Sequence, residues 1–131
     1  MLNFGKVVEI DPKTCRVRVE LADQDGMASY WLAVVQGHSL RDKVYSLPDV
    51  DEFVAFVLDE QAEEGVVLGA IYSDPDPTPT QDGEVRIIRF EDGTTVQYNR
   101  AESELMIDCV GDVVIRSATR LILQAPRIDL N

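Results

Sequence analysis

Histidine is nearly missing from this 131-residue chain: there is one, His38, and there are only two cysteines, Cys15 and Cys109. The cysteines stand far apart, and neither a CxxC nor a His/Cys pair at ligand spacing occurs. Zinc is held by about four such donors at short, regular spacing, so no metal is expected, and two reduced structural thiols are favoured over a disulfide. His38, in "QGHSLR", has none of the partners a catalytic imidazole needs and reads as a loop residue. The acids Asp49, Asp51 and Glu52, and the pair Asp74 and Asp76, lack the glycine and bidentate glutamate of a calcium loop and lie at turns, where acids are routine. There is no G-x-S-x-G, no P-loop and no dinucleotide fingerprint. Neither an enzyme nor a cofactor is expected.

Long apolar runs are absent too. Nothing approaches the ~20 residues of a membrane-spanning helix, and the start "MLNFGKVVEID" lacks the order of a signal peptide, so synthesis in the cytoplasm is expected. Basic charge is in short supply: 12 Lys and Arg stand against 24 Asp and Glu, a net charge of −12. The imbalance belongs to residues 1–83, with 16 acidic and 6 scattered basic residues, while residues 84–131 carry 8 and 6. Such a surface repels a phosphate backbone, so nucleic acid is not an expected partner. The acid excess reads as solubility and suppression of unwanted contacts.

What is present is strand after strand. "FGKVVEID" (4–11), "TCRVRVEL" (14–21), "SYWLAVV" (29–35), "EFVAFVLD" (52–59) and "GVVLGAIY" (65–72) are rich in β-branched and aromatic residues. Turn signals separate them: Asp11-Pro12, "ADQDG", Pro48-Asp49 and "DEQAEEG". No segment has helical periodicity. Arg16, Val17, Arg18, Val19, Glu20 and Leu21 alternate cleanly, which predicts one wet and one buried face. Trp31, in an apolar strand, is expected in a core or an interface. Five strands in some 70 residues predict an all-β, Greek-key OB-fold barrel over residues 1–73.

Residues 74–83, "DPDPTPTQDG", form a Pro/Asp spacer biased towards extended backbone. Beyond it, "EVRIIRFEDGTTVQYN" predicts two strands around Asp92-Gly93. The chain then repeats in steps of eight: "ELMIDCVG", "DVVIRSAT", "RLILQAPR", and a fourth unit begun by "IDLN". Apolar or small residues hold the odd-numbered places, as Leu105, Ile107 and Cys109, then Val113, Ile115 and Ser117, then Leu121, Leu123 and Ala125. Such a period, one strand per unit, predicts a β-solenoid over residues 84–131. Met106, Val114 and Ile122 make the second face partly apolar. So short a segment cannot bury its own core, and its open edges invite pairing. Several copies winding about one axis satisfy both demands, with Leu105, Ile107, Val113, Ile115, Leu121, Leu123, Ile128 and Leu130 as candidate core residues.

The series "LPDVDEFV" (47–54), "EEGVVLGAIYS" (63–73) and "FEDGTTVQY" (90–98), in that order and spacing, resembles the baseplate assembly protein V family, the central tail spike of contractile-tailed phages. Asp51 stands where that pattern usually has glycine. The resemblance implies a homotrimer of three OB-fold barrels followed by a triple-stranded β-helix. It implies attachment to baseplate hub and tail tube proteins, a place in the virion tail, and piercing of the host outer membrane when the sheath contracts. Related machines, a phage-tail-like bacteriocin or a type VI secretion spike, share that architecture, and an OB-fold nucleic-acid-binding module is the more distant alternative. Spikes of the family commonly end in a His-x-His iron site. This chain has no such pair, so iron is not expected, and either a longer chain or a separate PAAR-type tip is expected to cover the end.

Overall fold

The structure, a computed structural model, describes residues 1–21 and 26–131. Most of the turn signal "ADQDG" thus lies outside the described residues. Eight strands and no helix are found among them: β1 (Leu2–Asp11), β2 (Arg16–Val19), β3 (Leu32–Val34), β4 (Phe53–Leu58), β5 (Gly65–Ala70), β6 (Val85–Arg89), β7 (Thr95–Asn99) and β8 (Glu104–Asp108). They divide between two units, Met1–Thr78 and Pro79–Asn131.

The first five strands close into a barrel in the order β1-β2-β3-β5-β4, with β4 pairing back onto β1. All pairs are antiparallel except β3 with β5. That order is OB-like, and closure leaves no free sheet edge. The alternation in β2 is realised as expected: Val17 and Val19 are fully buried, while Arg16 points outward. They meet Val7, Leu32, Val54, Phe56, Leu58 and Val67 in one apolar core. Each such side chain contributes roughly 1.5–3 kcal/mol by leaving water. Ser29 is the one buried polar residue among them, and it is satisfied: its hydroxyl accepts from Val19 N (3.0 Å) and donates to Tyr30 O (2.7 Å).

Strands β2 to β5 are shorter than their apolar runs, while β1 is longer, starting at Leu2. Residues 14 and 15 belong to a turn, because the Asp11 carboxylate takes the Thr14 hydroxyl (2.7 Å) and Cys15 adopts φ of 55°. Ser29 bonds to β2 without entering β3, and Trp31 stays outside that strand, 38% exposed rather than in the core. The Arg18 guanidinium lies 5.9 Å from the centre of its ring. Both cysteines are free thiols.

In the second unit β6, β7 and β8 form an antiparallel meander. The β6–β7 turn follows the Asp92-Gly93 signal: Gly93 takes φ of 94°, and the N–H of Phe90 bonds to Thr94 O (2.9 Å). Of the eight-residue units only the first contains a strand, β8. Residues 109–131 form none in the single chain, so the solenoid expected from the repeat is not formed within one copy. The first unit is a strand because β7 lies beside it, and the later units have no such neighbour within the chain.

Candidate assembly surface

The register of the second unit sorts its side chains into two faces. Ile88 lies opposite Val96, and Val96 opposite Ile107; Arg86 lies opposite Tyr98, and Tyr98 opposite Leu105. Successive residues of a strand point to opposite faces. Ile88, Val96, Tyr98, Leu105 and Ile107 therefore share one face, interrupted only by Arg86 at its border. Ile88, Leu105 and Ile107 are each more than 60% exposed. The other face alternates apolar with polar groups, in the rows Ile87, Gln97, Met106 and Val85, Asn99, Glu104. Soluble monomers seldom leave so continuous an apolar face in water.

Of the eight candidate core residues, the structure brings Leu105 and Ile107 together on this face. Val113, Ile115, Leu121, Leu123, Ile128 and Leu130 lie in the strandless segment, all at least half exposed. Ile88, Val96 and Tyr98 extend the same stripe and were not picked out by the repeat, which begins only at Glu104. The available signal was the Asp92-Gly93 turn, read as a three-residue loop: counting outward from Asp92 puts Ile88 opposite Val96, whereas a two-residue turn would put it opposite Gln97. The turn is well made. Asp92 Oδ1 accepts the Thr94 N–H (2.8 Å), and this bond, with the Thr94 hydroxyl, holds the Asp92 carboxyl below the ordinary aspartate range. The Thr94 hydroxyl also accepts from Val110 N (3.2 Å), tying the chain beyond β8 to the turn.

The acids weighed as cation sites serve turns. Glu52 Oε1 accepts the Asp49 N–H (2.9 Å), and the Asp76 backbone exchanges bonds with Ser73 (3.1 and 3.2 Å). Among the described residues no three His, Cys, Asp or Glu side chains gather as a metal site. His38 lies in the exposed β3–β4 loop. Among the described residues neither unit offers a site built from convergent polar groups; what the second unit offers is an exposed apolar surface, suited to assembly.

No family model matches the sequence. The chain is similar to the Spike protein of Escherichia phage P2, at 26% identity over 144 aligned positions that take in 98% of this chain and 67% of that protein. A similarity spanning barrel and repeat alike supports a phage tail spike-like protein.

Proposed function

We propose that this chain is a structural, non-catalytic spike protein of a contractile phage tail, assembled as a homotrimer. Its barrel is held by hub and tube proteins of the baseplate. Residues 84–131 of three copies interwind as a triple-stranded β-helix that pierces the host outer membrane on sheath contraction. The observation that carries this reading is the pairing of an exposed apolar face on β6–β8 with the strandless, apolar-striped segment that follows it. Three such segments supply one another with the hydrogen-bonding neighbours and the buried interior that one copy lacks. A rod so made carries axial load well, because freeing one chain requires breaking its ladders with both others. The prolines of residues 74–83 suit a stiff connector that passes force between barrel and rod.

The similarity to a phage spike favours a phage tail over the related secretion and bacteriocin machines. The nucleic-acid alternative would need a basic groove with exposed aromatics, yet the groove beside Trp31 is rimmed by Asp59, Glu63 and Glu64. Native mass spectrometry of the chain, with and without an oligonucleotide, tests the reading. A species of three times 14.6 kDa that ignores DNA is expected. A monomer with salt-dependent oligonucleotide binding would overturn it.

A further inference from the structure

Two exposed features of the barrel unit are left unused by an interwound shaft. The first is a groove of about 620 Å³ on the outer wall where β3 and β5 run parallel. Its floor is apolar, a row in register formed by Ala33, Val66 and Val57. Trp31 forms one wall, fixed by Arg18, which itself donates to Ser29 O (2.8 Å) and Glu9 Oε1 (3.1 Å). Asp59, Glu63 and Glu64 make an acidic rim, with Arg16 as the single cation. The rim is a fixed turn: Asp59 N donates to Glu64 O (2.9 Å), and Asp59 Oδ1 accepts from Glu63 N (2.9 Å).

The second feature is the long β3–β4 loop, of the kind that usually carries function when it lies inside a small domain. Its base is clasped. The Gln36 side chain donates to Ser46 O (3.0 Å) and accepts from Ser46 N (2.8 Å), and the Tyr45 hydroxyl donates to Pro12 O (2.9 Å). Above the clasp a bridge between Ser39 and Lys43 frames the tip, where Leu40 is 75% exposed between His38 and the cations Arg41 and Lys43. The loop leaves the end of β3, whereas the acidic rim precedes the start of β5, which runs parallel to it. Tip and rim thus sit towards opposite ends of that strand pair, and no loop residue lines the groove.

We infer that, in the trimer proposed above, the loop tip of one copy seats in the Trp31 groove of the next. Leu40 lies on the Ala33–Val66–Val57 floor, and Arg41 and Lys43 face Asp59, Glu63 and Glu64. A second copy is the occupant because both halves of the contact are on this chain, and because between copies carrying −12 each a contact that pairs opposite charges relieves their repulsion. The contact is head-to-tail, so three copies held by a common shaft close it into a ring. This inference rests on the trimeric reading.

Two measurements on the full chain test it. In a background carrying Cys15→Ser and Cys109→Ser, Leu40→Cys combined with Val66→Cys should give, on oxidation, covalent species of two and three chains on a denaturing gel. Either thiol alone should give no three-chain band. Arg41→Glu with Lys43→Glu should abolish the three-chain band, and adding Glu63→Lys with Glu64→Lys should restore it. On the unsubstituted chain, a zero-length carbodiimide should join Lys43 to Glu63 or Glu64 within a cross-linked oligomer, read by peptide mass. A native trimer that yields only single chains in both experiments overturns the contact and leaves the groove to a basic segment of another protein. A chain that is monomeric by native mass overturns the trimeric reading with it.

Discussion

Asp51 takes φ of 77° while its N–H bonds to Val7 O (2.8 Å), locking the entry to β4 against β1. Glycine is the usual residue of the resembling pattern at this place, and aspartate is among the few others that tolerate left-handed backbone. Relief of about 1 kcal/mol on removing the Cβ is set against about 0.4–1 kcal/mol of added freedom in the unfolded chain. Asp51→Gly should therefore leave the barrel's Tm level or slightly raised, and Asp51→Val, branched at Cβ, should lower it clearly; thermal unfolding by circular dichroism reads both. Gly65 is constrained in another way. A Cβ there would run into Val57 O on the paired strand. Gly65→Ala should cost roughly 1–3 kcal/mol in denaturant unfolding, the range for an overfilled site. The residues themselves are plain in the sequence, but Gly65 reads there only as the junction of an acidic turn and a strand. Its closeness to Val57 depends on β4–β5 pairing, which no local pattern contains.

At the scale of the element, the barrel strands were legible because alternation in runs such as Arg16 to Leu21 records which face is buried. Their ends were not, since Asp11 with Lys13, and Ser29 with Val19, divert backbone N–H groups into side-chain bonds that apolar content does not reveal. The repeat was legible as a stripe of candidate residues but not as strands, because residues 109–131 have no partner within the chain. Strict alternation also places Ile128 and Leu130 on the even-numbered side with Met106, Val114 and Ile122, unless Pro126 shifts the phase. Variants separate the faces. Ile107→Asp or Ile115→Asp sets three unpaired carboxylates near one axis, a costly burial, and should abolish a heat-stable trimer on size-exclusion chromatography. Gln97→Asp, on the mixed face of β7, should leave it intact. An unchanged trimer from both isoleucine variants would mean that the stripe does not face inward.

Across the whole molecule, the acid excess and the closed core lie in the first unit, and among the described residues the second unit contributes nothing to a buried core. Burial of its own core predicts that a chain ending near residue 82 remains a folded barrel. Exposed charge pairs contribute little on their own, so contacts of the loop-and-groove kind should not hold such fragments together. Gel filtration should show a monomer, and a tight trimer would move the main interface into the barrel. The central claim, that the stripe from Leu105 to Leu123 is buried among copies, is tested most directly by backbone hydrogen exchange of residues 110–131 in the assembled protein. In one copy these amides form no strand, and all of their residues are exposed. The account predicts strong, cooperative protection, released only when the oligomer dissociates. Exchange at the rate of an unstructured chain in the intact protein would contradict it.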